Sequence, residues 1–234
     1  MATSYAYKPI VTNGLVFSLD AANTKSYVGS GTSWNDLSKN SHNGTLINGP
    51  TFDSANGGNM VFDGVNDYLD LGDSDDFTQQ SFTFDLFFKP QSFNRKIIDK
   101  YQVSGYEYTF GFYGGGDLYG WVSTGSSNYR GRIAPISTYT SLGEWGHYVW
   151  SFDESTSTTK LYFNAQQIDN SNFVGGSFTT IPNTSTPLTI GDANVTGLYG
   201  PIYGSLGYIR MYKRALSASE ILQNYNATKS RFGI

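Results

Sequence analysis

The sequence predicts an all-β fold, two antiparallel sheets stacked as a jelly-roll sandwich, with one short helix near the C-terminus. Three observations predict it. Short runs of alternating apolar residues are separated by Gly-, Asn- and Pro-bearing turn signals about every 8 to 12 residues, the pattern of a sandwich or barrel. Phe and Tyr number 16 and 18 beside 27 Gly, a composition suited to pleated strands and tight turns. Only one stretch, GSLGYIRMYKRALSASEILQNY (204–225), carries a helix start, and it follows a strand directly.

Residues 1–12, with Tyr5, Tyr7 and Pro9 and no periodicity, are expected to be an N-terminal arm that is frayed or lies on a neighbour. The domain proper is expected over 13–228 and a C-terminal tail over 229–234. LVFSLD (15–20) alternates Leu15, Phe17 and Leu19 against Val16 and Ser18 and reads as the first strand. Residues 23–43 are polar and turn-rich, a long loop pinned by two buried anchors, Trp34 and Leu37. A short strand at 45–47 is closed by Asn48-Gly49-Pro50. Val61-Phe62 and 68–71 read as a hairpin joined by Asp63-Gly64-Val65-Asn66-Asp67, where Gly64 supplies a positive φ. SFTFDLFFKP (81–90) is the clearest core strand, with Phe82, Phe84, Leu86 and Phe88 on one face and Pro90 as its stop. Strands at 96–100, 106–113, 118–123, 147–153, 160–163, 166–168 and 188–190 complete the series.

In the final stretch, strict alternation over 206–213 places Leu206, Tyr208, Arg210 and Tyr212 on one side and Gly207, Ile209, Met211 and Lys213 on the other. Ser217 then stands as N-cap, Glu220 completes a capping box, and Leu216 and Ile221 form the hydrophobic staple. Ile221, Leu222 and Tyr225 need a surface to dock on.

The composition excludes several function classes. No Cys is present, so disulfides, thiolate metal sites and cysteine nucleophiles are absent. Two histidines, His42 and His147, do not make a zinc site, and His147 reads as a satisfied sheet histidine rather than a base. Fifteen basic and 19 acidic residues leave a net charge of −4 with no basic patch, against a nucleic-acid partner. No run approaches a membrane span, and the opening MATSYAYKPIV lacks the basic-then-apolar pattern of a signal peptide, so neither membrane insertion nor export is expected.

Taken in order, GLVFSLDAAN (14–23), WNDLS (34–38), NGTLINGPTF (43–52), MVFDGVNDYLDLG (60–72), EWGHYVWSFD (144–153), TKLYFNAQQI (159–168), PLTIGD (187–192) and YIRMYKRALSASEI (208–221) resemble the laminin-G-like branch of the concanavalin A-like lectin/glucanase superfamily. The closing NYNATKSRFGI (224–234) and the Lys25-Ser26-Tyr27 loop further resemble versions carried by structural proteins of tailed bacteriophages. The resemblance implies a concanavalin A-like sandwich and a place in the virion.

Because the superfamily includes glucanases, catalysis has to be weighed. Glucanases of this fold carry E-x-D-x-x-E, which sets two carboxyl groups on one strand face at the spacing that retaining hydrolysis needs. The four Glu, at 107, 144, 154 and 220, begin no such pattern, and Asp73, Asp75 and Asp76 sit in a loop, so no catalytic residues are expected. Relatives often hold calcium, for which Asp63, Asn66, Asp67 and Asp70 are the candidate ligands. The same residues equally serve to stabilise a turn, and Gly207-Tyr208 stand where relatives carry an acidic pair. No cofactor is required on this reading, and calcium is the only candidate.

Sugars are gripped by aromatic faces with amide and charged groups reading the hydroxyls. Within 101–132 the candidates for a glycan face are Tyr113, Tyr119, Trp121, Asn128, Tyr129 and Arg132, beside Tyr101, Tyr106, Tyr108 and Arg130. The alternative for these aromatics is core, sheet cover or subunit interface. Trp34, Trp145 and Trp150 read as core.

The expectation is a non-enzymatic virion structural protein of a tailed phage, as capsid decoration, tail or fibre component, assembled in the host cytoplasm. It would contact other virion proteins through the arm, be present in multiple copies, and adhere weakly to host-surface glycans by multivalency. The alternative is a cellular carbohydrate-binding lectin module.

Overall fold

The computed structural model describes residues 9–101, 107–125, 127–168, 171–191 and 200–234, with backbone alone at 171–173. The strands are β1 (Leu15–Asp20), β2 (Ser33–Trp34), β3 (Gly44–Ile47), β4 (Thr51–Asp53), β5 (Asn59–Asp63), β6 (Tyr68–Asp70), β7 (Phe82–Pro90), β8 (Lys96–Lys100) and β9 (Tyr108–Tyr113). They continue as β10 (Asp117–Gly125), β11 (Asn128–Ala134), β12 (Gly146–Asp153), β13 (Thr158–Phe163), β14 (Gln166–Gln167), β15 (Ser171–Gly175), β16 (Thr189–Ile190) and β17 (Tyr203–Tyr212), followed by helix α1 (Ala218–Thr228). All pairings between these strands are antiparallel.

A back sheet runs β14-β13-β12-β7-β17-β5-β4, with β1 also paired to β17, and a front sheet runs β15-β11-β10-β9-β8-β16-β6-β3-β2. The all-β sandwich with one C-terminal helix is therefore as the alternation predicts. Phe82, Phe84, Leu86 and Phe88 face inward from β7, and meet Phe110, Phe112, Leu118 and Val122 of the front sheet. Trp150 stacks on Phe110 at 5.6 Å and donates Nε1–H to Thr159 Oγ1 at 2.6 Å. Gly120 is needed opposite it, since a Cβ there would lie 2.4 Å from the indole nitrogen.

Strand β17 departs from strict alternation. A bulge lies between Leu206 and Tyr208, so the inward residues are Leu206, Ile209 and Met211, while Tyr208, Arg210 and Tyr212 face outward under the helix. Gly207 sits at the bulge where a Cβ would approach Phe232 to 2.4 Å. The capping box is present, with Ser217 N–H donating to Glu220 Oε2 at 2.9 Å, and Leu216 and Ile221 share one buried cluster. Leu222, expected to dock, is 47% exposed instead, because the buried helix face is formed by Ile221, Asn224 and Tyr225.

The expected hairpin at 61–71 is not one. β5 pairs with β4 and β17 in the back sheet, whereas β6 pairs with β3 and β16 in the front sheet, so the Asp63–Asp67 turn carries the chain from one sheet to the other. In the 23–43 loop Trp34 is fully buried, but Leu37 lies at the surface and is no anchor. Asp36 takes that part, accepting from the backbone N–H groups of Ser18, Ser38 and His42. Trp145 lies outside the sandwich core, half-buried 4.6 Å from Phe232, with Nε1–H donated to Asn56. Strand β9 is described from Tyr108, and Tyr106 lies outside the described residues.

Both ends of the described residues meet the back sheet. Val11 donates its N–H to Asn224 Oδ1 at 2.8 Å and accepts from Tyr212 Oη–H at 3.1 Å. At the other end Phe232 stacks on Phe87 at 4.2 Å, and Arg231 pairs with Asp20 at 2.6 Å, so the tail from Lys229 is packed into the body.

Candidate functional site

Leu118 and Val122 of β10 point into the core, so Asp117, Tyr119, Trp121 and Ser123 point out of the front sheet. Direct cross-strand partners share a face, and register places Tyr113 beside Asp117, Gly111 beside Tyr119, Thr109 beside Trp121, and Tyr129 beside Ser123. Tyr113, Tyr119, Trp121 and Tyr129 therefore stand on one outer surface. Trp121 is the hub, with Tyr101 at 5.6 Å and Tyr129 edge-on at 5.7 Å and 82°. Tyr119 is nearly buried, its hydroxyl 3.4 Å from Thr109 Oγ1, whereas Tyr113 is 48% exposed and Trp121 and Tyr129 are half-buried. Lys96 stands over the Tyr101 ring at 5.4 Å and pairs with Asp99 at 3.0 Å, adding charge that sequence reading missed. The signal was a lysine and an aspartate three apart in a strand, brought to one face by the bulge between Lys96 and Ile98.

The other two expected glycan residues are placed differently. Asn128 closes the β10–β11 turn, its carbonyl accepting from Ser123 Oγ at 3.2 Å. Arg132 pairs with Gly120, on the inward side, and donates Nε–H to Thr159 O of the back sheet at 2.9 Å, so it braces the two sheets. Tyr108 is core, its hydroxyl donated to Phe77 O at 2.8 Å.

Three of the four expected calcium ligands accept from the backbone of their own turn, each through one carboxylate oxygen. Asp67 is 4% exposed and accepts from Asp63 N–H; Asp63 accepts from Val65 N–H and Asp70 from Gly72 N–H. Burial raises the Asp67 carboxyl, partly offset by the hydrogen bond from the Asp63 backbone. Among the described residues no group of three His, Cys, Asp or Glu side chains is arranged to hold a metal, and the three aspartates act as turn acceptors.

Glu107, the most deeply placed carboxylate near the front sheet, is equally committed. It is fully buried and accepts from Lys100 Nζ at 2.9 Å, Thr184 N–H at 3.0 Å, Thr184 Oγ1 and Thr78 Oγ1. Asp73 also pairs with Lys100, Asp76 with His42 and Asp75 with Asn183. Glu107, fully buried and holding four donors, serves as a structural anchor.

On the back sheet, Asp85 is fully buried between His147 at 3.1 Å, Asn224 at 2.6 Å and Arg210 at 3.7 Å. Burial works to raise its carboxyl, but His147, Arg210 and Asn224 outweigh it and hold it at about 2. His147 lies against the rings of both Phe87 and Tyr225, at 5.2 and 5.6 Å, and these two stack on each other at 6.3 Å. It is a sheet histidine bound to Asp85, and the network fastens α1 and Val11 to the sheet.

Residues 63–222 match the laminin G profile described as concanavalin A-like lectin/glucanases superfamily. No curated protein sequence matches the chain. Among solved structures, the binding domain of Paraclostridial Mosquitocidal Protein 1 is similar at TM-score 0.68 and 15% identity, over 92% of this chain and 52% of that one. Domain 4 of AbnA, a GH43 extracellular arabinanase from Geobacillus stearothermophilus solved with arabinotriose, is similar at 0.63 and 18%, over 90% and 98%. The ligand binding domain of botulinum neurotoxin serotype D, in complex with N-acetylneuraminic acid, is similar at 0.68 and 11%, over 91% and 50%. The chain thus spans about half the length of the toxin domains and nearly all of the arabinanase domain. The profile covers more than half of the chain, which belongs to the concanavalin A-like lectin/glucanase superfamily as a laminin-G-like domain.

Proposed function

We propose that this chain is a non-catalytic carbohydrate-binding domain, carried on a tailed-phage particle and presenting its front sheet to host-surface glycans. The observation that carries the reading is the Tyr101–Trp121–Tyr129 cluster with Tyr113 on an outer sheet surface. Aromatic faces take the C–H surface of a sugar, and the buried Lys96–Asp99 pair supports them from beneath Tyr101. The fold is shared with domains solved holding arabinotriose and N-acetylneuraminic acid, which supports sugar as the ligand class. The saturation of Glu107 supports the absence of hydrolysis, and no release of reducing sugar from β-glucans is expected. Calcium plays no part in this reading.

Support for the particle comes from the phage-like pieces and from geometry. Arg231 of the closing segment bonds Asp20, whose N–H in turn donates to Ser26, so the two pieces meet. Residues 9–12 leave along α1, behind the back sheet and opposite the aromatic surface. Attachment behind and binding in front suit a displayed adhesin. Single-site affinity near millimolar, about −4 kcal/mol, becomes useful only in many copies.

The test is a multimerised form on a glycan array, with Trp121→Ala beside it. Binding lost in the variant supports the reading; no glycan bound by the parent refutes it. Removal of residues 1–8, which spares the Val11 bonds, is expected to leave folding intact and abolish incorporation into particles. A cellular lectin would bind glycans without any particle association.

A further inference from the structure

The front sheet is narrowest where β8 and β6 are joined through β16, a strand of two residues, Thr189 and Ile190. Beside that join three ionisable side chains converge. Lys100 ends β8 opposite Tyr108, and it shares the inward face of the strand with the core residue Ile98. Asp73 follows β6, and Glu107 precedes β9. The Lys100 and Glu107 side chains are fully buried, whereas that of Asp73 is 39% exposed.

Lys100 Nζ lies 3.0 Å from Asp73 Oδ1 and 2.9 Å from Glu107 Oε1, and the carbonyl oxygens of Thr184 and Thr186 approach it at 3.2 and 2.8 Å. Four oxygens thus surround a group that carries three hydrogens at most. Glu107 is held in place without the lysine too, since Thr184 N–H, Thr184 Oγ1–H and Thr78 Oγ1–H also donate to it. The Lys100 nitrogen is therefore kept one atom away from the Asp73 carboxyl carbon, with a second carboxylate touching the same nitrogen. Reactants fixed in contact need no encounter, which removes a large part of the barrier to joining them.

We propose that Lys100 and Asp73 condense into an isopeptide bond, with Glu107 as the proton carrier. Glu107 Oε1 takes a proton from the Lys100 ammonium, and the freed amine attacks Asp73 Cγ. Glu107 passes that proton to an Asp73 carboxyl oxygen, and the nitrogen gives a second proton to the same oxygen. The C–O bond breaks, water leaves through the exposed side of Asp73, and an Nζ–Cγ amide remains. One positive and one negative charge are consumed, Glu107 ends as it began, and no oxidant or co-reactant is needed. The bond ties β6 to β8 across the two-residue β16, in a chain that has no Cys to do so by a disulfide. It stands whether or not the aromatic surface binds glycan.

The test is the intact mass of the purified, folded chain measured under denaturing conditions, followed by peptide mapping. The protein is expected to be lighter than its sequence by one water, with the peptides that bear Asp73 and Lys100 joined after digestion. Asp73→Ala, at a half-exposed position, is expected to restore the full mass. Asp73→Asn is expected to cross-link again, now losing one ammonia. Glu107→Gln is expected to slow the reaction by about a hundredfold or more after refolding. A parent chain of full sequence mass overturns the proposal. So does a water loss that persists in Asp73→Ala, or cross-linking as fast as the parent's in folded Glu107→Gln.

Discussion

The two sheets bury their inner faces alike and treat their outer faces in opposite ways. Behind, the outer face of β7 and β17 carries Asp85, Phe87, Tyr208, Arg210 and Tyr212, all buried beneath α1 and the closing segment. In front, the outer face of β10 and β11 carries Trp121 and Tyr129 only half-covered, with Tyr113 at the edge. The same chemistry, aromatic rings beside charge, is scaffold where a helix closes over it and candidate site where none does. Polar satisfaction marks the difference on the back sheet: Asp85 meets three partners there, and burying a charge is tolerable only on such terms.

The largest effect expected from breaking that contrast is Asp85→Ala. It leaves Arg210 buried without its carboxylate and is expected to destabilise by about 3–5 kcal/mol in chemical denaturation. Phe232→Ala removes the ring stacked on Phe87 and the cover over Gly207; a loss of about 3 kcal/mol is expected by the same measurement, against almost none if the tail were a free appendage. Acid should reveal Asp85 more gently. Its folded carboxyl at about 2 lies below the ordinary 3.8, so the folded state binds fewer protons; the stabilisation is complete above about pH 4 and lost as pH falls toward 2. Thermal melts across that window check it, and a flat profile contradicts it. The smallest expected effect is that of a chelator, which should leave the melting temperature unchanged because Asp63, Asp67 and Asp70 are bonded to backbone.

The contrast also explains what the sequence could reveal. Alternation along β7 and the capping box at Ser217 are local signals, and both led to the right elements. The phase slip in β17 was invisible, because one glycine does not announce a bulge and Phe232, which needs its space, is 25 residues away. The 61–71 turn was misread for a similar reason, since turn residues specify a reversal but not which sheet receives the next strand. In the candidate site, the aromatic density of 101–132 is visible in the sequence, but it is strand register that sets Tyr119 and Trp121 on one face with Tyr113 and Tyr129. Arg132 looked equally suitable, yet one residue of phase turns it inward to Thr159. Its chemistry was legible and its direction was not.

Whether the front surface is a site and not merely uncovered scaffold is tested most directly by Trp121→Ala. Its ring lies outside the core, so the melting temperature should stay within a few degrees of the parent while multivalent glycan binding on an array is lost. Retained glycan binding in a folded Trp121→Ala protein would contradict the account.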